Sequence, residues 1–457
     1  MDNQYDAIVI GSGMGGCAAA LLMAHKGKKV LMLEKNAIQG GRLSSFEKNG
    51  FFMDLGVHII SCGSKGSVAE CLDRVGAKDA VEFVGVRPIM AINGELFKFP
   101  HDVKKMVPED DFNAMMKYIM DVRSYDEEKI ASVDDITLEE HLGQYTKHPL
   151  VHSFMNQIAG VYCVIDIDEV AAGEFIRCFN RESAAHASGY PVGGCIAITN
   201  AYISEFEKLG GEFKLSASVS KILVEEGKAV GVVANDVEYR ADMIVSNAGL
   251  KETVIDIMNG EGFDASYVDR INNLVYSTGV SVMRLALDAP LTDIKMYSNT
   301  TDEDYKVRRQ RIANGDVPEK VGAMLVVPSN FSSGIAPEGK QYVCAGTGVP
   351  RNTSEEVADR IIESMYRTTQ EYIPGLDEHL MFKSTMTPHQ LAKMVGKEGS
   401  VIGLAQIPGQ VSTARPSIKA PNIDNLYFVG CETGAKGGVG IEFAANSAME
   451  FFDTYVD

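Results

Sequence analysis

The chain has 457 residues, 45% hydrophobic and 23% charged, with a formal net charge of −19. That length exceeds what one compact core usually holds and predicts two domains. The acidic balance excludes a nucleic-acid-binding surface, which needs a basic face, and charge-driven docking on anionic lipid.

Tyr5–Ile10 is a short β-rich run, Gly11–Gly16 a glycine loop, and Cys17–Lys26 an Ala/Leu-rich helix with Gly27 placed as its stop. Lys28–Leu33 is a second apolar run ending in Glu34, so the chain opens with a βαβ unit. From about 70 to 185 it is more helical and more charged, with helices expected over Asp110–Tyr125 and Thr137–Gln144. Met106, Phe112, Met115, Met116, Ile119 and Met120 can form one apolar helical face, for packing or for peripheral membrane contact. Ile196–Leu209 reads as an amphipathic helix closed by Gly210-Gly211. Ser218–Val224, Ala229–Ala234 and Val237–Tyr239 read as an antiparallel meander, and Asp242–Asn247 as a further buried strand. Later strands are expected at Ser281–Asp288, Ala323–Val327, Gln341–Gly346 and Leu426–Val429. Helices are expected from Ser354 toward Tyr372 and over Ile441–Phe452.

This order predicts an α/β fold of two discontinuous units: 1–70, 185–265 and 395–457 for a cofactor, 71–184 and 266–394 for a substrate. The eight cysteines are scattered without a C-x-x-C pair, which fits reduced thiols in a cytoplasm and no metal site. Met1–Asp6 does not read as a signal peptide, and no apolar run approaches the ~20 residues of a membrane span.

The strongest motif is Gly11-Ser12-Gly13-Met14-Gly15-Gly16. Its glycines allow a tight turn, close approach to a pyrophosphate and close helix–strand packing, and the phosphate sits at the helix N-terminus. It follows a strand, opens a helix and has an acid about 20 residues on, Glu34 beside Lys35, placed for ribose hydroxyls. In Gly40-Gly41-Arg42, Arg42 can neutralise a diphosphate or lie solvated on a turn. Gly56, Val57 and His58 continue a strand; His58 is a catalytic candidate or a structural histidine. Tyr190-Pro191-Val192-Gly193-Gly194 opens a helix. Near the end, Gly430-Cys431-Glu432-Thr433-Gly434 follows a strand, and Gly437-Gly438-Val439-Gly440 opens another helix.

Together these segments resemble the flavin-containing amine oxidase and phytoene desaturase superfamily. The desaturase branch is resembled by Tyr190–Gly194, Gly409-Gln410, Arg415-Pro416 and Asn425–Gly430. The resemblance implies a Rossmann-like, two-dinucleotide-binding-type FAD domain with a discontinuous α+β substrate domain. It implies FAD held by the residues above together with Val219, Gly430, Glu432, Gly438 and Val439, the late helix N-terminus facing the flavin. The implied activity is that of an oxidoreductase: a desaturase, saturase or dehydrogenase moving a hydride between flavin N5 and an apolar or partly apolar small molecule. An electron donor or acceptor is left unnamed and oligomeric state open. Within the resemblance stand three rivals: a redox-neutral isomerase using reduced FAD, an amine oxidase, and a non-catalytic escort of prenylated proteins. The chain departs from both branches at Ala435-Lys436 and at Gly440-Ile441-Glu442-Phe443. Lys436 and Glu442 are therefore candidates for a charged group at the flavin edge.

Overall fold

The computed structural model describes residues 3–457. Its main strands are β1 (Gln4–Ile10), β2 (Val30–Leu33), β3 (Ile89–Ile92), β4 (Glu95–Phe97), β5 (Glu212–Lys214), β6 (Val219–Glu225), β7 (Lys228–Ala234), β8 (Val237–Ser246), β9 (Gly279–Leu287), β10 (Met296–Thr300), β11 (Met324–Val326), β12 (Gln341–Val349), β13 (Leu380–Met386) and β14 (Leu426–Phe428). The principal helices are α1 (Met14–His25), α2 (Ser67–Arg74), α3 (Glu109–Arg123), α4 (Pro149–Tyr162), α5 (Ala172–Ala185), α6 (Ile196–Lys208), α7 (Tyr305–Ala313), α8 (Glu355–Tyr372) and α9 (Ile441–Tyr455).

The first sheet runs β6-β7-β8-β1-β2-β5, with β14 also paired to β8. Its centre is parallel: β1 pairs β2 and β8, and β8 pairs β14, all in the same direction. Such a centre is covered on both faces, which is why Ile8, Val9, Leu31, Ile244 and Val245 are fully buried without alternation. α1 is buried from Met14 to Ala24, and its run of alanines lets α6 and α9 pack closely against it. Gly27 ends the helix at φ +88°, a conformation that costs glycine nothing.

The second sheet runs β13-β9-β12-β11-β10-β3-β4 and is antiparallel except where β10 pairs β3. β9 is buried along its whole length. α8 starts at Ser354, whose side chain accepts from Val357 N, and buries Ala358, Ile361, Ile362 and Met365 at helical spacing. Helices α3 to α5 share a separate apolar core around Tyr118, Phe154 and Phe175. No helix of the described residues is long and apolar enough to cross a membrane.

Two sequence expectations change, and of the two readings of the apolar helical face the structure takes packing. Val237–Tyr239 and Asp242–Asn247 belong to one strand, β8, whose first half closes the antiparallel hairpin with β7 and whose second half lies parallel to β1. The 71–184 stretch, read as helical, also contributes β3 and β4, a hairpin turning at Asn93-Gly94. The apolar stripe on α3 points inward: Met115 and Ile119 are buried in the helical core, Met106, Phe112 and Met116 pack against it, and Met120 alone is 67% exposed.

Candidate functional site

Gly11 leaves β1 at φ +92° and α1 begins three residues later. A Cβ on Gly16 would run into the Gly11 carbonyl oxygen, so this glycine sets the closeness of strand and helix. A Cβ on Gly15 would sit 2.9 Å from Gly430 N, so the early and late glycine loops touch backbone to backbone. Asn247, at the end of β8, lies between them. Its amide oxygen accepts from Gly13 N at 3.2 Å and its nitrogen donates to Val429 O at 3.3 Å. Ser12 works behind the loop: its N and Oγ both donate to Glu34 Oε2, at 2.9 and 2.8 Å, while Asn36 N and Nδ2 donate to Oε1. Glu34 thus fastens the loop to the end of β2.

A cavity of about 1460 Å³ opens beside this loop and extends to the second sheet. Ligand pockets for one drug-sized molecule are about 300–1,000 Å³, so it has room for a dinucleotide and a second ligand. Gly11, Gly13, Met14, Glu34, Lys35, Gly40, Gly41, Arg42, Val57, His58, Val219 and Val439 all line it. Ser12, Gly15, Gly16, Gly56, Gly430, Glu432 and Gly438 do not; they shape its wall from behind. A Cβ on Gly56 would meet the His58 ring, and one on Gly438 would come within 2.9 Å of Phe443 N.

The donors at the wall fit an anionic diphosphate. Arg42 Nη1 donates to Cys431 Sγ at 3.4 Å, but its buried Nε and Nη2 have no partner among the described residues. A buried guanidinium left so is costly unless an acceptor completes it. Lys397, which lines the same cavity, gives its Nζ to Glu432 Oε1 at 2.6 Å. Burial pulls the lysine down, but Glu432 holds it above its ordinary value, so it stays charged. The second oxygen of Glu432 accepts from Leu250 N at 2.7 Å. Both Glu432 oxygens are therefore engaged inside the protein, Oε1 by Lys397 and Oε2 by Leu250 N. Glu252 accepts from Lys397 N, and burial raises its carboxyl.

His58 reaches the cavity with a buried, unpartnered Nδ1, and burial lowers its basicity, keeping the ring neutral. With Asp54 and Cys195 it forms a compact triplet of metal-capable atoms. Asp54, however, is saturated by Ser45 Oγ, Cys195 N and Tyr190 Oη, and burial drives the Cys195 thiol far up. Asp54 with Ser45, Tyr190 and Cys195 forms a hydrogen-bonded brace, and His58 stands beside it.

Neither charged candidate near the late loop faces the cavity. Lys436 is exposed at the surface. Glu442 is 1% exposed in the first turn of α9. It accepts from Ser67 N, capping α2, and burial raises its carboxyl. Val439, Gly440 and Ile441 supply the wall instead. Beneath this loop Glu174 of α5 lies 3.0 Å from Arg415 Nη2, both nearly wholly buried, and Arg415 stacks on Phe443 at 4.2 Å.

Away from the loop the cavity wall is largely apolar, with Ile89, Phe99, Val161, Met296 and Met324 among its residues. Sequence reasoning missed Asn247, Glu252, Lys397 and this wall. Asn247 and Lys397 carry no motif of their own and are brought in by β8 and by the turn after Val395.

The flavin containing amine oxidoreductase family model matches residues 14–450. Among curated relatives, a chloroplastic prolycopene isomerase of Daucus carota is 27% identical over 93% of this chain and 76% of its own length. A lycopene-forming phytoene desaturase of Pantoea ananas is 24% identical over 96% of each chain. Among solved structures, an oxidoreductase from Methanosarcina mazei superposes with a TM-score of 0.77 at 22% identity, over 98% of this chain and 100% of that one, a likeness of fold.

Proposed function

The chain belongs to the flavin containing amine oxidoreductase family, and from that premise we propose that it adds or removes two electrons at a carbon–carbon or related bond of an apolar or partly apolar small molecule. It is an FAD-dependent oxidoreductase. The reading is carried by one observation: the cavity that touches the Gly11–Met14 loop and Arg42 continues into an apolar chamber under the second sheet. Relatives named for phytoene and prolycopene support a polyene-like substrate.

When bound, FAD supplies the two-electron chemistry that side chains lack. The chain's own part is to hold and shield. Gly13 and the α1 N-terminus take the diphosphate, with Arg42 and Lys397 as counter-charges. Gly40, Gly41, Val57 and Val439 offer backbone and small side chains for close approach. Neutral His58 can give or accept one hydrogen bond without placing a charge in the chamber. Apolar walls exclude water from the reacting bond.

A second reading, a redox-neutral isomerase, is favoured by the prolycopene isomerase relatives. Purified protein should carry flavin absorbance; its absence, with no FAD uptake on reconstitution, would refute both readings. Mass analysis of product from a polyene substrate then separates them. A change of two hydrogens supports the redox reading, and an isomer of unchanged mass supports the second.

A further inference from the structure

Where α4 and α7 line the chamber, its wall carries a polar cluster. Gln157 of α4, 8% exposed, donates from Nε2 to Ser298 O at 2.8 Å, while its buried Oε1 has no partner among the described residues. The next residue toward the N-terminus, Asn156, donates to Asp166 Oδ1 at 3.0 Å. Asp166 also takes Arg309 at 2.8 Å, and Arg308 Nη2 stands 4.0 Å from it. Gln157, Asp166, Arg308 and Arg309 all line the cavity.

Two groups of this cluster are incompletely used. The Arg308 side chain makes no hydrogen bond among the described residues, and Gln157 offers a bare acceptor. The charges, by contrast, are matched. Asp168 binds Arg309 through both oxygens, Glu169 pairs with Arg351, and Asp166 lies between Arg309 and Arg308. A carboxylate arriving here would add an unmatched negative charge and bring no proton for Gln157 Oε1. A bare hydrocarbon would leave donor and acceptor both unpaired. A hydroxyl carries both an acceptor and a donor, the two roles that the Arg308 side chain and Gln157 Oε1 leave open.

We propose that this cluster seats the hydroxyl end of an otherwise apolar substrate, so that the molecule processed is a long-chain alcohol rather than a pure hydrocarbon or a carboxylate. The proposal rests on the flavoenzyme reading above and narrows it. It also moves the polar contact from Lys436 and Glu442, which face elsewhere, to α4 and α7.

The test uses flavin-loaded protein and displacement of bound diphenylhexatriene, a fluorescent hydrocarbon, by dodecan-1-ol, dodecanoate and dodecane. Dodecan-1-ol should compete at least about ten-fold better than either of the others. Arg308→Leu and, independently, Gln157→Leu should each remove most of that preference, with dodecan-1-ol competing less well and dodecane competing as well as before or better. Two substitutions on different helices guard against one that fails to fold, and the flavin spectrum of each sample reports the fold. Equal competition by dodecane, better competition by dodecanoate, a preference untouched by both variants, or failure to bind diphenylhexatriene overturns the proposal. Such a result with flavin present leaves the flavoenzyme reading standing; protein without flavin refutes that reading instead.

Discussion

Arg42 lies buried with Nε and Nη2 unpartnered, and a charged hydrogen bond to each is worth about 1.5–3 kcal/mol. Arg42→Met should therefore weaken FAD retention by about a hundred-fold or more, read by titrating flavin into apoprotein; unchanged affinity would place the diphosphate elsewhere. Glu442 makes a different prediction. Burial raises its carboxyl above the ordinary 4.5, so the folded state binds that proton more tightly than the unfolded chain does. Its contribution to stability is then fully present below the ordinary carboxylate range and is lost as pH rises through the raised value. Glu442→Gln keeps an acceptor for Ser67 N without a titrating charge, and should flatten the decline of the thermal midpoint with rising pH; a midpoint profile parallel to that of the unsubstituted protein would refute this. The sequence told that a carboxylate stood at the start of the last helix. It could not tell that the side chain turns back to cap α2, because that partner is 375 residues away. Arg42 was readable since glycines announce where a backbone must pass close to a ligand. Lys397 was not, for it comes from a left-handed turn at φ +54° with no motif around it.

At the scale of elements, α1 offers a comparison between its two ends. A Cβ on Gly16 meets the Gly11 carbonyl, whereas one on Gly27 meets nothing within 4 Å and suffers only its left-handed backbone. Gly16→Ala should cost about 1–3 kcal/mol by forcing strand and helix apart, and should abolish flavin retention because the α1 N-terminus moves. Gly27→Ala should cost about 1–2 kcal/mol with flavin retained. Urea unfolding and flavin content of the two purified proteins check this, and equal flavin loss in both would show that loop geometry is not what matters. The same element was the most legible in the sequence, since its glycines, its alanines and the flanking apolar runs all agree. The β3–β4 hairpin was less so. Its strands are only four and three residues long, too short for alternation to stand out, and Asn93-Gly94 was the one signal available. β8 was read as two strands because Arg240 and Asp242 interrupt its apolar pattern; both lie where the strand passes from an exposed hairpin into the parallel centre, and a change of partner along one strand leaves no break in the backbone.

For the molecule as a whole, the question is what couples the helical layer to the cofactor wall, and Glu174 answers it. It belongs to α5, yet its carboxylate sits against Gly437, where a Cβ would collide with it, and against Arg415. The late loop thus rests on an ion pair sealed from water, with Arg177 Nη1 a further 3.6 Å from the other oxygen. No local pattern in the sequence joins residues 174, 415 and 437, which is why a reading built on periodicity and glycine motifs could place the loop but not its support. Breaking such a pair from one side leaves an uncompensated buried charge, at about 3–5 kcal/mol. Glu174→Gln should therefore destabilise the protein by that order and also loosen flavin, since Val439 and Gly440 lose their footing. Arg415→Met in the Glu174→Gln background removes the stranded charge while keeping an apolar stem over Phe443, and should recover much of the stability. It should not recover flavin affinity to the same degree, because an apolar contact fixes the loop less specifically than the ion pair does. Denaturant unfolding and flavin titration on the two single variants and the double variant form a closed cycle. Recovery of stability without recovery of affinity assigns the pair to positioning, while parallel recovery of both would reduce it to a packing element.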